Sequence, residues 1–179
     1  MVRLFRIAAA AGAMVIMLGT AVGAAGSPAV HAHASLIGTD GQSIGWARFV
    51  EDASGVVHVN VHVAGLTPGL HGIHLHAVGL CEPATFGSAG GHHNPLGATH
   101  GLDSASGGHA GDLPNMVVNE AGIGRLVART DRATLSADAT SVFDGNGSAI
   151  VIHAGPDDQV TDPTGNSGSR AACGVISWD

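Results

Sequence analysis

The run Val57-His58-Val59-Asn60-Val61-His62-Val63 decides the fold class of this chain. Valine occupies every second position, and polar side chains stand between the valines. Because successive side chains of a β-strand point to opposite faces, this period of two predicts an antiparallel strand with one buried and one solvated face. Residues 45–51 read as the preceding strand, and residues 51–55 as the hairpin turn between the two.

Further strand candidates recur along the chain, at residues 72–79, 116–119, 123–130, 149–153 and 172–178. Together with 28 glycines and no long helical period, they predict an all-β domain, a sandwich or flattened barrel of about eight antiparallel strands. Two long stretches, residues 80–114 and 154–170, show no period of their own. The first contains four histidines, so we expect functional loops here.

Residues 1–34 have the layout of a secretory leader. Arg3 and Arg6 form a basic start, an apolar run follows to about residue 18, and small residues come next. We expect a signal peptide cleaved after Ala24 or after Ala34, and a single domain over residues 35–179. The protein would then be exported, periplasmic or extracellular, without stable membrane insertion; an uncleaved membrane anchor is the alternative. If cleavage follows Ala24, His31 and His33 would form a mobile pair that could collect copper.

The charge balance is acidic. Seven arginines and no lysine face fourteen Asp and Glu, giving a net charge of −7, which becomes −9 when Arg3 and Arg6 leave with the leader (five against fourteen). This excess of negative charge argues against binding nucleic acid by phosphate neutralisation and against binding an anionic bilayer surface. An anionic substrate would need a local positive centre.

Cys81 and Cys173 are the two cysteines of the chain. In an oxidising compartment a disulfide between them is the expected state, and two separate buried thiols are the alternative. The bond would close a loop of roughly 90 residues, worth about 4–5 kcal/mol in the chain-entropy model.

Twelve histidines are an unusual number for a chain of this size, and their spacing suggests metal binding. His74 and His76 share one face of a predicted strand, and His153 ends another, an all-imidazole set that suits copper. Within a glycine-rich loop, three imidazoles and one carboxylate form a set that suits Zn²⁺: His92, His100, His109 and Asp112. The spacing therefore predicts two transition-metal sites.

These motifs resemble the Cu,Zn superoxide dismutase family. The segment Gly69-Leu70-His71-Gly72-Ile73-His74-Leu75-His76 is similar to a family signature. The resemblance covers about residues 44–178 and continues through residues 89–96, His100-Gly101, residues 109–113, Ile152-His153, Asp157-Asp158 and residues 165–176.

The resemblance implies a Greek-key β-sandwich and an enzyme that converts superoxide to O₂ and H₂O₂ by a copper redox cycle. It also implies a role for each matching residue. The copper ligands would be His74, His76, His92 and His153. The zinc ligands would be His92, which bridges both ions, His100, His109 and Asp112. Asp157 would be the carboxylate that links the two sites, Arg170 the cation that guides superoxide, and Cys81–Cys173 the family disulfide.

Several features depart from the family pattern. The stretch between Asp158 and Gly165 is short and free of lysine, so we expect Arg170 to be the only nearby positive centre. His93 stands where an aromatic residue is usual, and we interpret it as a packing residue. The connection after Pro83 is short, which leaves a homodimer possible.

Other histidines have simpler interpretations. We expect His58 and His62 on a solvated strand face, and His71 to form structural hydrogen bonds. Two alternatives to an enzyme are a protein that carries copper and zinc without turnover and a purely structural extracellular domain. The complete set of ligand positions, together with Arg170, argues against both.

Overall fold

The computed structural model of the protein describes residues 29–105 and 107–179. These residues form ten β-strands and one short 3-10 turn, Gly87–Ala89. The strands are β1 Val30–Gly38, β2 Ser43–Glu51, β3 Val57–Ala64, β4 Gly69–His71, β5 Ile73–His76, β6 Met116–Val118, β7 Ile123–Thr130, β8 Ala149–His153, β9 Arg170–Val175 and β10 Ser177–Trp178. Within the described ranges, no helix is long and apolar enough to cross a membrane.

The strands form a nearly closed antiparallel barrel. Neighbours follow the order β4-β6-β7-β3-β2-β1-β9-β8-β5, and β10 pairs with β1. Only Gly72 separates β4 and β5, so the chain passes directly from one end of this order to the other. The return of β9 to the side of β1 requires long connections across the barrel ends, as in Greek-key folds. The predicted all-β class is confirmed.

The valines of β3 lie in the core, as their alternation predicts. All four are at most 1% exposed, and they pack in one cluster with Leu36, Phe49 and Ile150. The polar residues between them face outward; His58 is exposed, and His62 is half-buried and stacks against Trp46. The strand predictions for residues 45–51, 116–119, 123–130 and 149–153 are likewise confirmed, within two residues at each end.

Strand β1 was not predicted. Its core-facing side chains include Ala32 and Ala34, 1% and 2% exposed, and alanine is a weak signal for a strand. The strand pairs with β2 from Val30 onward. The expectation of a mobile His31–His33 pair is therefore wrong, because both residues belong to β1, and Nδ1 of His33 lies 2.7 Å from a carboxylate oxygen of Asp179. Residues 1–28, which hold most of the predicted leader, lie outside the described residues.

Two long loops contact the face of β5 that points away from the core, and they form the site described below. Residues 77–115 connect β5 to β6, and residues 154–169 connect β8 to β9. The disulfide Cys81–Cys173 fastens the first loop to β9, with the two Cα atoms 5.7 Å apart. His71 is buried, and its two ring nitrogens contact the carbonyl oxygens of His153 and Thr67 at 2.6 and 2.8 Å, which confirms its structural role.

Candidate metal centre

Both faces of strand β5 are buried, and its two histidines lie on the same face. Ile73 and Leu75 point into the hydrophobic core, while His74 and His76 point away from it. Antiparallel pairing with β8 brings His153 to the same place. His92, from the long loop, is held there by a bridge between its backbone and that of His76.

Four ring nitrogens in this cluster are buried and have no hydrogen-bond partner among the described residues. They are Nδ1 of His74 and Nε2 of His76, His92 and His153. These four residues offer ligand atoms within 4.8 Å of one another. Buried polar atoms normally have partners, and four unpartnered lone pairs that converge are suited to one metal ion. We call this set the four-histidine group.

The other nitrogen of each ring is already occupied, which fixes the orientation of the imidazole. Nδ1 of His76 donates to the Gly90 carbonyl at 2.9 Å, and Nδ1 of His153 to the Gly168 carbonyl at 3.1 Å. Nε2 of His74 donates to the Asp157 carboxylate at 2.5 Å. Each ring therefore presents its free nitrogen to the centre of the group.

A second cluster lies on the other side of His92. Oδ1 of Asp112 is 3.1 Å from Nδ1 of His92, 3.0 Å from Nδ1 of His100 and 3.5 Å from Nδ1 of His109. Nδ1 of His92 and Nδ1 of His109 are 3.3 Å apart. Ligands of a tetrahedral Zn²⁺ at about 2.0–2.1 Å lie about 3.3 Å from one another, so these spacings fit zinc. We call this set the Asp112 group.

The Asp112 carboxylate is held in place by the backbone. Its second oxygen, Oδ2, accepts hydrogen bonds from the N–H groups of Gly101 and His109, both at 2.8 Å. Burial raises the pKa of Asp112, but the hydrogen bonds from His92 and Gly101 outweigh it and hold that pKa well below its usual range. The carboxylate is therefore ionised and oriented before any ion arrives.

Asp157 connects the two groups. One carboxylate oxygen contacts Nε2 of His74 at 2.5 Å, and the other contacts Nε2 of His100 at 3.0 Å. Gly165 packs against this contact with φ +61°, and a Cβ there would lie 1.8 Å from Oδ1 of Asp157. Glycine is required at this position both by the positive φ and by the close approach.

Burial keeps the imidazoles of His74, His76 and His153 neutral, the form that binds metal. It lowers the pKa of His74 to about 4, although the hydrogen bond to Asp157 opposes the shift. It also lowers the pKa of His153 to about 4 and that of His76 to about 2. At neutral pH these rings are therefore unprotonated and offer lone pairs.

A cavity of about 330 Å³ opens beside the four-histidine group. Its walls include His76, His92 and His153, and Arg170 is the only arginine that lines it in the described part of the chain. The half-buried Arg170 donates hydrogen bonds to the carbonyl oxygens of Phe86 and Gly90. A small solute can thus approach the four imidazoles past a fixed guanidinium.

Two further residues of the site were missed by sequence reasoning. Arg132 donates to the carbonyl oxygens of His109 and Asp112 at 3.3 and 3.0 Å, and so holds that loop to the barrel. Oδ1 of Asp162 accepts from the His100 N–H at 2.7 Å and lies 3.6 Å from Nε2 of His109. No motif marks either residue, because both contacts depend on how distant loops meet.

The structure also separates His93 from both groups. Its ring nitrogen Nε2 donates to the Thr140 carbonyl at 3.0 Å, and the side chain is buried, in agreement with a packing role.

His74, a member of the four-histidine group, also lies within ligand distance of His100 and Asp112. Because Asp157 occupies its Nε2, its one free nitrogen is Nδ1.

Comparison with known proteins agrees with this geometry. Residues 43–176 match the family model for copper/zinc superoxide dismutase. The chain is 44% identical to superoxide dismutase [Cu-Zn] 2 of Aquifex aeolicus over 157 residues, which cover 87% of this chain and 91% of the relative. It is 37% identical to superoxide dismutase [Cu-Zn] 3 of Arabidopsis thaliana, over 79% of this chain and 87% of that protein.

A solved structure leads to the same family. The crystal structure of a superoxide dismutase-like protein from Bacillus subtilis superposes with a TM-score of 0.76 at 34% identity, covering 80% of this chain and 96% of that one. The family match extends over most of the chain and includes both histidine groups and the disulfide. The chain belongs to the copper/zinc superoxide dismutase family, whose enzymes convert superoxide with copper and zinc as cofactors.

Proposed function

We propose that this protein is an exported enzyme that disproportionates superoxide through a copper redox cycle, with zinc as the second, non-redox metal. The observation that carries the proposal is the convergence of four buried, unpartnered imidazole nitrogens beside a cavity lined by Arg170. All-imidazole donor sets suit copper, and the adjacent cavity leaves room for a small anion.

We assign copper to His74, His76, His92 and His153, and zinc to His92, His100, His109 and Asp112. His92 supports both assignments because its Nε2 belongs to the four-histidine group and its Nδ1 to the Asp112 group. We prefer His109 to His74 as the fourth zinc ligand. The free Nδ1 of His74 is required by the copper set, whereas Nδ1 of His109 lies 3.3 Å from that of His92.

When bound, copper supplies the one-electron couple by which two superoxide anions and two protons yield O₂ and H₂O₂, while zinc has no redox chemistry. Arg170 attracts and orients the anion, and its two carbonyl partners keep it at the cavity wall. His92 lines that cavity, and its buried, unpartnered Nε2 is the atom that we assign to take up and release a proton. The Asp112 group keeps the ring in place meanwhile.

We infer export from the basic, apolar and small-residue order at the start of the chain, before β1, and from the disulfide, which persists in oxidising compartments. Periplasmic and extracellular locations are both compatible with these features. A homodimer is part of the proposal, because association would cover exposed apolar side chains such as Leu80, Leu96 and Val160. Sedimentation of the mature protein tests this directly.

The central test is superoxide disproportionation by the mature protein, expressed per bound copper, beside a His153→Ala variant. We expect fast turnover in the parent and a loss of at least about a hundredfold in the variant, because one of four copper donors is removed. His58→Ala is the matched control, since His58 is exposed on β3, and it should retain full activity.

Bound copper without turnover above that of an inert protein would contradict the proposal and favour a metal carrier. Equal loss in His153→Ala and His58→Ala would also contradict it, because the effect would then not depend on the four-histidine group. Copper stoichiometry measured on every variant separates lost binding from lost chemistry.

A further inference from the structure

The exposed arginines of the described residues lie together on one face of the barrel. Five arginines are described; Arg132 and Arg170 are half-buried and bonded to carbonyl oxygens. The other three are exposed, and all stand on outward positions of β2 and β7. We call Arg48, Arg125 and Arg129 the arginine face.

The pairing register fixes the layout of this face. Arg125 pairs with His62 and Arg129 with His58, on the outward side of β3. Asn60, between those two positions, pairs with Arg48 on its other side. Arg125 and Arg129 are therefore roughly 13 Å apart along one strand, and Arg48, two strands away and level with the midpoint between them, is roughly 12 Å from each.

No guanidinium of this face has an ion-pair or hydrogen-bond partner within the described ranges. Arg48 lies over the ring of Trp46, 5.3 Å from its centroid. The single acid in β1, β2, β3 and β7 is Glu51, which is buried and accepts hydrogen bonds from the N–H groups of Leu135 and Ser136.

Two acids flank the end of the face at Arg129: Asp52, whose carboxylate lies 2.9 Å from Nε2 of His58, and Asp131, which follows β7. The three arginines outnumber them, so the face is a positive patch on a protein of strongly negative net charge.

Exposed side chains between the arginines add contact area. Trp46 is 41% exposed and Val127 is 82% exposed. Both lie on the same side of the sheet as the arginines, because Trp46 pairs with His62, and Val127 with Asn60. A strand surface that alternates guanidinium groups with an indole and an aliphatic side chain can contact both the charged groups and the backbone of a polymer.

We propose that the arginine face binds a linear polysaccharide that carries phosphate or sulfate groups. Guanidinium groups bind such oxyanions in bidentate fashion, and a flexible chain can cross all three arginines. A thin polymer contacts only this face, and the acidic remainder of the protein stays in solvent, largely screened beyond about 8 Å at physiological ionic strength.

Two other occupants fit less well. A second copy would have to present an acidic surface to the arginine face, and such a contact joins two different surfaces, which leads to open chains rather than closed dimers unless the rotation closes. An anionic membrane would attract three arginines but repel the many acids of the same molecule, which a broad planar surface cannot avoid. Both are outcomes of the test below.

The test uses the mature protein with long-chain inorganic polyphosphate and with dextran sulfate as probes, at increasing salt. The parent should bind both, and log Kd should rise with log salt with a slope of about 2–3, for three arginine contacts. The combined variant Arg48→Gln, Arg125→Gln, Arg129→Gln should bind at least about tenfold more weakly. Superoxide disproportionation by this variant reports that it is folded.

A matched control changes the net charge by the same amount elsewhere. Ala105→Glu, Ala139→Glu and Ala154→Glu are substitutions at exposed loop positions, and this triple variant should bind within about twofold of the parent, because none of the three lies on β2, β3 or β7, which form the arginine face. An equal loss of polymer affinity in the two triple variants would overturn the proposal. So would unchanged binding by the glutamine variant, stronger binding to phosphatidylglycerol vesicles than to the polymers, or arginine-dependent self-association in sedimentation.

Discussion

Arg170 and His76 share one hydrogen-bond acceptor, the carbonyl oxygen of Gly90. The guanidinium that lines the cavity and an imidazole of the four-histidine group are thereby fixed to the same peptide unit. The position of the cation relative to the metal ligands is set by backbone, so it does not depend on flexible side-chain packing. Residues around Gly90 should then affect both anion attraction and ligand orientation.

Replacing Arg170 should reduce the second-order rate with superoxide while leaving copper content unchanged. In Arg170→Gln we expect kcat/KM to fall about tenfold or more, because the cavity loses its arginine. Arg170→Lys should recover part of the rate. Pulse radiolysis at several ionic strengths measures both; the parent should show only weak salt dependence, since no lysine assists. Steep inhibition of the parent by salt would refute this prediction.

Removing the disulfide should loosen the segment that holds Arg170. Phe86, Ala89 and Cys173 lie in one small buried cluster, and Phe86 and Gly90 supply the carbonyl partners of the arginine. The variant Cys81→Ser, Cys173→Ser should lose about 3–5 kcal/mol of unfolding free energy. Its kcat/KM should also fall at temperatures where it is fully folded. Urea unfolding and rate measurements check both, and a stability loss with an unchanged rate would refute the link to Arg170.

Asp157→Asn should weaken metal binding, because Asp157 orients the ring of His74 in the four-histidine group and the ring of His100 in the Asp112 group. We expect zinc affinity to fall about 10–100-fold, as is usual when a carboxylate behind a metal-binding histidine is removed. Chelator competition measures it. Asp103→Asn, at an exposed loop carboxylate, is the control and should bind zinc normally. Normal zinc affinity in Asp157→Asn would show that the backbone alone orients His100.

The metal-free protein should lose stability as pH falls from about 6.5 towards 4. The pKa of His74 and that of His153 fall from 6.5 to about 4 on folding, chiefly through burial. Below pH 6.5 the unfolded chain therefore binds protons that the folded chain does not, which favours unfolding. The lowered pKa of Asp157, where burial is outweighed by hydrogen bonds from His74 and His100, acts in the same direction at still lower pH.

The free energy of unfolding of the metal-free protein should fall by a few kcal/mol between pH 7 and pH 5. Urea midpoints of the metal-free protein across that range measure it. Substituting a single buried imidazole, as in His153→Phe, should reduce the dependence of the urea midpoint on pH. A stability that is constant or rises on acidification would contradict the shifted pKa values.

The N-terminus offers a test of the leader boundary. Residues 30–34 pair with β2 and bury Ala32 and Ala34, so a chain that starts at residue 25 should be more stable than one that starts at residue 35. We expect a difference of about 2 kcal/mol or more in unfolding free energy. Mass spectrometry of the exported protein should accordingly find cleavage before Val30. Equal stability of the two chains would show that residues 25–34, including the five that pair with β2, are dispensable.

Sequence periodicity predicted β3, which buries a valine at every second position, and the short apolar run of β8 was predicted as well, because its Ile150 and Ile152 enter the core. Periodicity failed for β1, whose core-facing positions include alanines, and whose overlap with the leader pattern concealed its alternation. The histidines of the site were predictable because spacing and family resemblance both marked them. The contacts of Arg132 and Asp162 were not, because they join residues far apart in sequence through loops without a regular period.

Strand β5 has no water-facing side: Ile73 and Leu75 complete the apolar interior, and His74 and His76 complete the histidine cluster, all four buried. A change of side-chain volume at Ile73 or Leu75 must shift the backbone on which the two imidazoles stand. Packing and chemistry therefore cannot vary independently along this strand. A residue that touches no ligand can tune reactivity here, and a search for variants with altered activity should include the interior of the barrel.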